Sequence, residues 1–506
     1  MARINLISKA SLMIILLLSA QATQRIFAQD GAQKANYAAA VSKPDAATEK
    51  LIARLEKRIP ELMNQGDVPG LSVALIKDSK TVWSRGFGIK NAETKEPVDD
   101  NTMFEAASLS KPVFAYAVLK MVEKGPLDLD VPLSKYLPAY IENDERLNLI
   151  TARRVLSHTT GFPNWRPRGK PLAIHFTPGE KFSYSGEGFV YLQKVVERLT
   201  GEPLNEVIRK SVFEPLGMHN STFIWQDTID AQMSKGHNQA NASVERNRGT
   251  QANAAASLRT TAIDYARFVT AIMNGAGLKE ETARLMLTPQ VKVDAGCTNC
   301  IDRKPSKPSE ALSWGLGWGL QSTGQGDAFW HWGDNGDFKC FVVASRKQKT
   351  GIVVFTNSAN GLGIIPEIVG EALGGNQPAF AWIDYESYNS SRRKLYKAIE
   401  RDGIEVAVRQ YRAAVKENPE ANRVKEGPMN SLGYLFLTSK RFKEAIEIFK
   451  LNVEAFPNSS NVYDSLGEAY MESGDKELAI QNYKKSVELN PNNTVGIEML
   501  KKLQQK

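Results

Sequence analysis

Hydrophobic and polar residues follow different periods in different parts of this 506-residue chain. Residues 48–64 place apolar side chains at helical spacing, whereas residues 70–88 alternate with a period of two on both sides of an Asp-Ser-Lys turn. Residues 111–123 are mostly apolar, which indicates a buried helix. The pattern therefore predicts a helix, a β-hairpin and a second helix, in that order.

Strands return after a long region of helices and loops. One strand is predicted over residues 314–320 and others follow as far as residue 358, before a helix over about residues 363–373. Strands at both ends with helices between them predict one antiparallel sheet whose terminal strands are neighbours, with a helical lobe inserted. Residues 43–385 are therefore predicted to form an α+β domain in which helices flank an antiparallel sheet.

A period of 34 residues organises the C-terminal part of the chain, as the distance from Gly433 to Gly467 illustrates. This period is typical of the tetratricopeptide repeat, in which paired helices stack into a solenoid. A weaker unit around Ala407 precedes the two good ones, and a helix over about residues 494–505 would cap the stack. The recurring pairs are Gly433 and Gly467, Ala445 and Ala479, Phe449 and Tyr483, and Pro457 and Pro491.

Residues 388–506 are therefore predicted to form an all-α solenoid. Its concave groove is expected to bind a protein or peptide partner. The alternatives are that the repeats only pack on the preceding domain or that they mediate dimerisation.

The N-terminus has the layout of a secretory signal peptide. Arg3 and Lys9 precede a short apolar run, and small residues at positions 20–22 offer a cleavage site. The apolar run is too short to span a bilayer, although an uncleaved anchor is an alternative. Residues 1–22 are thus predicted to be removed and residues 23–42 to form a linker. The mature protein is expected to be periplasmic or secreted, with no membrane span after signal cleavage.

Composition narrows the class of protein. Hydrophobic residues make up 42% of the chain and charged residues 24%, which excludes the disordered and fibrous classes. Loss of residues 1–22 lowers the net charge from +8 to +6, since only Arg3 and Lys9 are removed. The basic residues are scattered rather than clustered, so we predict no binding of nucleic acid.

Three cysteines bear on redox state and metal binding. Cys297 and Cys300 are close enough for a local disulfide in an oxidising compartment, or they are free thiols. A zinc site needs about four ligands, and no second Cys or His pair lies nearby in the sequence. Cys340 lies in an alternating apolar run and is predicted to be a core residue. We predict neither a metal site nor a cofactor.

Ser108 and Lys111 are the strongest candidates for chemistry. They are three residues apart, so one helical turn would place them on the same face. A lysine in a poorly solvated pocket can lose its charge and accept the proton of a serine hydroxyl. The same spacing recurs at residues 391–394 and 473–476, in polar stretches. Only Ser108 opens an apolar helix, whose N-terminus offers free N–H groups to an oxyanion.

This helix and the segments after it resemble the class C-like branch of the serine β-lactamase and penicillin-binding-protein superfamily. The resemblance covers about residues 45–375, with the elements in family order. It implies a β-lactamase-like domain and a serine hydrolase that forms an acyl-enzyme. The matching phrases are LSHTTGFP at Leu156, FTPGEKFSYSGEGF at Phe176, VFEPLGMHNSTF at Val212, SLRTTAIDYARF at Ser257 and HWG at His331.

The resemblance implies a role for each matched position. Ser108 matches the acylated nucleophile, and Lys111 matches the base that shares its proton. Tyr184 matches a second acid/base that serves the leaving group, and a phenol near cations can have a lowered pKa. A core tyrosine at a turn is the alternative for Tyr184. Backbone N–H groups of Ser108 and Asp334 match the oxyanion hole.

Position 186 departs from the family pattern. Gly186 stands where the family usually has the asparagine that holds the acyl-amide side chain of the substrate. The loss of this donor and acceptor puts efficient hydrolysis of penicillins and cephalosporins in doubt. The residues expected to bind substrate are Gly186, His331, Trp332, Gly333 and Asp334.

Two phrases, HWG at His331 and KTG at Lys349, compete for the third family motif. In the family this motif lies on an edge strand, and two further strands precede the closing helix. Two strand-like runs follow HWG but only one follows KTG, which lies in a polar stretch typical of a hairpin turn. HWG is therefore predicted to line the pocket. A histidine there carries a charge that depends on pH, so weaker binding of a substrate carboxylate is expected at neutral pH.

These features predict a serine hydrolase that acts on an ester or amide through an acyl-enzyme. Candidate substrates are a D-amino-acid peptide, a small ester or a weakly hydrolysed β-lactam; Gly186 and His331 place the peptidase and esterase ahead of the β-lactamase. The alternative is a sensor or scaffold that binds penicillin or another ligand without turnover and recruits a partner through its repeats. The joint presence of Ser108, Lys111 and Tyr184 favours the enzyme.

Overall fold

A computed structural model describes residues 44–304 and 306–505. The predicted signal peptide and linker lie outside the described residues. The chain divides into two compact units, Met1–Glu386 and Ser387–Lys506, where the sequence predicted domains over 43–385 and 388–506. Among the described residues, none of the helices combines the length and apolar character needed to cross a membrane.

An antiparallel sheet of eight strands organises the first unit. In spatial order it runs β2-β1-β10-β9-β8-β7-β6-β5, and β3 pairs with β4 in a separate two-stranded sheet. The terminal strands β1 and β10 are neighbours, with Leu71 opposite Thr356, which confirms the predicted topology. The strands are β1 (Gly70–Lys77), β2 (Lys80–Gly88), β3 (Phe104–Ala107), β4 (Leu258–Thr260), β5 (Val291–Asp294), β6 (Pro308–Trp314), β7 (Gly319–Thr323), β8 (Gly326–Asp334), β9 (Lys339–Ser345) and β10 (Thr350–Thr356).

Helices cover the sheet and form the lobe between β3 and β5. Those of the described first unit are α1 (Ala46–Gly66), α2 (Ser110–Lys124), α3 (Ala152–Leu156), α4 (Gly186–Thr200), α5 (Leu204–Ile208), α6 (Glu214–Leu216), α7 (Ala262–Asn274), α8 (Glu280–Met286), α9 (Ile365–Leu373) and α10 (Pro378–Ile383). A π-helical turn over Arg209–Phe213 joins α5 to α6. Short 3-10 helices span Leu133–Lys135, Glu145–Leu149, Asp227–Ile229 and Gly361–Gly363.

The period-two pattern of the strands explains how the helices pack. Successive side chains of a strand point to opposite faces, so Ala74 and Ile76 of β1 join the core that contains Tyr265 and Phe268 of α7. Helices α1 and α9 pack against each other, α1 also against β2 and α9 against β10. The unit is therefore the α+β arrangement that the sequence predicted.

Two turns show how local chemistry sets the strand boundaries. Asp78 and Ser79, between β1 and β2, both have positive φ, of 50° and 55°, which suits a two-residue hairpin turn. The single strand predicted over residues 314–320 is wrong. The chain bends between Trp314 and Gly319, because Gly317 adopts a φ of 85°, a conformation that favours glycine.

The second unit is all helical and contains the expected repeats. Its described helices are α11 (Ser391–Asp402), α12 (Ile404–Glu417), α13 (Pro419–Asn422), α14 (Glu426–Thr438), α15 (Phe442–Ala455), α16 (Ser460–Ser473), α17 (Lys476–Leu489) and α18 (Thr494–Gln504). A Cβ on Gly433 of α14 would overlap the ring of Phe449 on α15. A Cβ on Gly467 would lie 3.2 Å from the ring of Tyr483 on α17. Glycine therefore permits the close approach of each helix pair.

Candidate active site

Ser108 and Lys111 lie at the junction of β3 and α2, deep in the first unit. Ser108 occupies the turn between the strand and the helix, and Lys111 lies in the first helical turn. The Lys111 side chain is fully buried. Its Nζ lies 3.0 Å from Ser108 Oγ and donates a hydrogen bond of 2.8 Å to the Ala255 carbonyl. The amine that the sequence paired with the serine is thus within proton-transfer distance of it.

Burial determines the charge of this amine. Removal from water disfavours an ammonium and lowers the pKa of Lys111 well below its usual range. The amine therefore has a larger neutral fraction near neutral pH than a surface lysine. A neutral amine beside a hydroxyl can act as its general base.

The backbone just before Ser108 is held in an uncommon conformation. Ala107 has a φ of 49°, which costs energy for a residue with a Cβ and persists where the surroundings impose it. Gly333 on β8 is one such constraint, because a Cβ there would overlap the Ala106 carbonyl oxygen and Cys340 Sγ. The HWG glycine thus lets β8 lie directly against the end of β3.

Tyr184 lies beside Lys111 among aromatic rings. Its ring centroid is 4.6 Å from Lys111 Nζ, and the ring packs on His158 at 4.3 Å and Trp332 at 4.8 Å. Its hydroxyl makes no hydrogen bond within the described chain. Burial raises the pKa of Tyr184, so the lowered pKa expected from nearby cations is wrong. The physical reason is that removal from water disfavours the charged phenolate.

A disulfide-closed loop holds the Tyr184 segment in place. Cys297 and Cys300 form the disulfide, and the carbonyl of Thr298 between them accepts a 3.0 Å hydrogen bond from the Tyr184 backbone N–H. The Cys300 N–H donates to Ser183 Oγ at 3.1 Å. The sequence had not placed this insert. The close spacing of the two cysteines indicated a closed loop, but nothing in the sequence indicated that this loop contacts the Tyr184 segment.

Strand β8, which carries HWG, pairs with strands on both sides over its first half and on one side over its second half. Strands β5–β7 continue the sheet beyond β8, so the predicted edge position is wrong for β8 as a whole. Strand β7, however, pairs with β8 only as far as Trp330, opposite Gly319. Residues 331–334 pair with β9 alone among the described strands. The motif therefore still has one open side.

His331 is a neutral hydrogen-bonding group rather than a cation. It is fully buried, and its Nδ1 lies 2.7 Å from the Trp332 carbonyl oxygen. Burial, helped by the proximity of Lys111, lowers the pKa of His331 to about 3, so the expected charge change around neutral pH is wrong. With Nδ1–H donating to the carbonyl, Nε2 is a hydrogen-bond acceptor, and it has no partner among the described residues.

The side chain of Asp334 is already occupied. Its carboxylate forms an ion pair with Lys339 and accepts a 2.6 Å hydrogen bond from the Tyr385 hydroxyl. Asp334 can therefore offer a substrate its backbone more readily than its carboxylate. The oxyanion-hole role of the Ser108 and Asp334 backbone N–H groups stays a prediction.

The absence of a side chain at position 186 has a structural reason. A Cβ on Gly186 would lie 2.8 Å from the Asn164 carbonyl oxygen and 3.0 Å from the indole of Trp165. Trp165 lies on the loop after the HTTGFP phrase, and its ring centroid is 6.0 Å from Lys111 Nζ. Trp165 is a site residue that was not predicted from sequence, because nothing in the local pattern of its loop indicates that it borders the site.

KTG and His158 both have structural positions. Lys349 is exposed, has a φ of 56° and lies in the turn between β9 and β10, which confirms KTG as a hairpin turn. His158 is fully buried, and its Nδ1 accepts a 3.0 Å hydrogen bond from the Ser185 N–H. It packs against Tyr184, with the two ring centroids 4.3 Å apart, and so supports the site structurally.

Both units of the chain match known families. Residues 55–364 match the model of the Beta-lactamase family, and residues 460–493 match that of the Tetratricopeptide repeat. The chain is 29% identical to "Esterase EstB" of Burkholderia gladioli over 36% of this chain and 53% of that protein. It is 28% identical to "Protein flp" of Staphylococcus aureus (strain N315) over 34% of this chain and 38% of that protein. The chain thus spans about half or less of the length of these curated relatives.

Solved structures show the same fold. A penicillin-binding protein homologue from Pyrococcus abyssi, described as octameric, superposes with a TM-score of 0.56 at 25% identity, covering 68% of this chain and 81% of that chain. The D-alanine carboxypeptidase AmpC from Burkholderia cenocepacia superposes with a TM-score of 0.53 at 20% identity, covering 64% of this chain and 99% of that chain. The second likeness concerns the fold alone.

Proposed function

The chain belongs to the beta-lactamase family, within a serine hydrolase superfamily, and we propose that it hydrolyses an ester or amide through an acyl-enzyme on Ser108. The observation that carries this proposal is the fully buried Lys111 amine, 3.0 Å from Ser108 Oγ. Burial favours the neutral amine, and this is the state that can accept the serine proton.

The residues divide the proton transfers between them. Lys111 accepts the hydroxyl proton while Ser108 Oγ bonds to the substrate carbonyl carbon. Tyr184, whose raised pKa keeps it protonated, donates its proton to the leaving oxygen or nitrogen as that bond breaks, and the Lys111 ammonium restores it. Water then attacks the acyl carbon, and Ser108 leaves with a proton returned through the same groups. The Ser108 and Asp334 N–H groups stabilise the oxyanion.

The environment of His331 favours an uncharged ester over a peptide with a free carboxylate. His331 is neutral and offers an acceptor, and the Lys339 ammonium is paired with Asp334. Neither group supplies a free positive charge for a substrate carboxylate. The Burkholderia gladioli relative is named an esterase, which supports the same choice. Cleavage of a D-amino-acid peptide and weak turnover of a β-lactam rank below the ester.

Location and partner form part of the same proposal. The layout of residues 1–22 and the Cys297–Cys300 disulfide are typical of an oxidising compartment, so we place the mature protein in the periplasm or outside the cell.

The tetratricopeptide repeats support a protein or peptide partner. Deletion of residues 388–506 is expected to leave the hydrolysis of a small ester unchanged. A loss of turnover would mean that the repeats contribute to catalysis.

Covalent labelling tests the nucleophile. The full chain is treated with a fluorophosphonate and analysed by mass spectrometry, and release of p-nitrophenol from p-nitrophenyl acetate is followed in parallel. Ser108→Ala should abolish both signals. Ser473→Ala, at the same Ser-x-x-Lys spacing in the repeats, should change neither.

The outcomes separate the alternatives. Labelling that survives in Ser108→Ala contradicts the proposal. Stable acylation of Ser108 without release of the acid would instead support a sensor that binds its ligand without turnover.

A further inference from the structure

Trp165 places a large apolar surface at the edge of the site. Its side chain is 47% exposed, and it is the sole tryptophan among the exposed large hydrophobic residues of the described chain. A single exposed apolar residue is common on a protein surface. This one, however, has its ring centroid 6.0 Å from the Lys111 amine. The ring is therefore within reach of an acyl group attached to Ser108.

The loop that carries Trp165 is fixed before any substrate arrives. The backbone N–H groups of Gly186 and Glu187 both donate to the Asn164 carbonyl at 3.0 Å, and Ser185 Oγ donates to the Pro163 carbonyl at 2.9 Å. Arg166, next in the chain, forms a 2.7 Å ion pair with the buried Glu187. The start of α4 thus holds residues 163–166, and a preorganised surface loses less entropy on binding.

The neighbouring position offers no polar alternative. Gly186 has no side chain, and the space that a Cβ would enter lies 3.0 Å from the Trp165 ring. The ring of Phe189 also lies near the Lys111 amine, with its centroid at 5.7 Å. An acyl group here meets aromatic surface where a side-chain amide would otherwise offer hydrogen bonds.

We propose that Trp165 is a specificity-determining residue that selects esters with a flat, apolar acyl group, such as an arylacetyl group, by stacking. The inference rests on the proposed acyl-enzyme function and names its substrate class. Aromatic rings gain from offset or edge-to-face contact beyond the burial of apolar area, so a flat ring gains more than an aliphatic ring of similar size. The expected preference is about tenfold, the factor that ~1.4 kcal/mol represents.

Three esters with one leaving group test the proposal on the full chain. They are p-nitrophenyl phenylacetate, cyclohexylacetate and acetate, and kcat/KM is measured for each. The wild type should favour phenylacetate. Trp165→Ala should lose about tenfold on phenylacetate, mainly through KM, and change less than about twofold on acetate. Trp165→Phe should restore most of the loss, and Arg168→Ala, on the exposed part of the same loop, should leave all three values unchanged.

Two results would overturn the inference. Equal losses on all three esters in Trp165→Ala would mean that the residue supports the loop rather than the acyl group. Equal kcat/KM for phenylacetate and cyclohexylacetate in the wild type would exclude selection by stacking. Failure of the proposed function looks different, because no ester would then acylate Ser108 in the wild type at all, and both proposals would fall together.

Discussion

The contacts that stabilise each of the two units span very different distances along the chain. In the first unit, Lys111 bonds to the carbonyl of Ala255, 144 residues away, and β1 pairs with β10. In the second, the contact that defines a repeat joins Gly433 to Phe449 on the next helix. Repeat proteins are stabilised by such neighbouring contacts, whereas a catalytic constellation draws its groups from distant segments. Local structure can therefore be predicted from consecutive residues, whereas a catalytic site depends on contacts between residues that are distant in sequence.

Both units contain buried polar atoms without a hydrogen-bond partner in the part of the chain that the structure describes, Asn452 Oδ1 in the second among them, but in the first unit several of them lie around the candidate catalytic pair. Around Lys111, the Tyr184 hydroxyl and the Nε2 atoms of His158 and His331 are buried without a hydrogen-bond partner in the described chain. Each such group costs stability, and sites that break local rules in this way are commonly functional. The repeat glycines, by contrast, serve close packing alone. Replacement of the buried Lys111 should therefore stabilise the first unit, whereas replacement of a repeat glycine should destabilise the second.

The largest effect should come from Lys111→Met. Loss of the base is expected to lower kcat about 10³-fold. The same change should stabilise the first unit at neutral pH, since it removes a buried amine that favours its neutral form. Parallel measurements of ester turnover and urea unfolding check both effects. Lys476→Met, at the same spacing in the repeats, is the control.

The pH dependence of stability has a definite sign. Because burial lowers the pKa of Lys111 in the folded state, the unfolded chain binds the extra proton between that pKa and the usual value of about 10.4. The free energy of unfolding should therefore rise with pH across that interval in the wild type. Lys111→Met should lack this contribution. Identical pH profiles would contradict the buried amine.

Gly333→Ala should have the next largest effect. The added Cβ would overlap the Ala106 carbonyl and push β8 away from β3, the strand that ends at Ala107, just before Ser108. A displacement of about 1 Å at the reacting groups can cost roughly 10²-fold in rate. Gly324→Ala, in the turn between β7 and β8 with nothing within 4 Å of the new Cβ, should leave kcat unchanged. Equal kcat values for the two variants would exclude the close contact as a requirement.

Removal of the disulfide should affect the rate more than the fold. Paired Cys297→Ser and Cys300→Ser changes free the loop that bonds to the Tyr184 backbone, so kcat should fall roughly tenfold. The closed loop is short, so the stability lost should be only about 1–2 kcal/mol. Dithiothreitol should reproduce the fall in the wild type and add nothing in the double variant. A reductant effect that persists in the double variant would locate it elsewhere.

The smallest effect on turnover should come from the repeat glycines. Gly433→Ala overlaps the Phe449 ring and should destabilise the second unit by about 1–3 kcal/mol. Gly467→Ala places its Cβ 3.2 Å from Tyr483, and the better helix propensity of alanine offsets part of the cost. Thermal unfolding should separate the two variants, while ester turnover stays that of the wild type. A fall in turnover would show that the units are coupled.

Much of the molecule was determined by local sequence alone. The 34-residue period predicted the repeat helices, because each repeat contacts its neighbours at a constant separation. Hydrophobic periodicity predicted β1, β2 and α2, since an element that is buried on one face or on all faces has a recognisable pattern of apolar residues. Counting the strands that follow each phrase separated HWG from KTG. The first two inferences needed only the order of residues along the chain, and the third also used the order of elements in the family.

Tertiary structure decided the chemistry of the site. The pKa of Lys111, Tyr184 and His331 depends on burial by segments far away in sequence, and the sequence-based expectations for Tyr184 and His331 were wrong. Trp165 borders the site because α4 holds its loop, and the disulfide loop reaches Tyr184 because of the way the chain folds back. The sequence by itself determined which groups this protein has and how its local elements form. Their charges and neighbours were decided by the fold, since removal from water is a property of position in space and not of position in the chain.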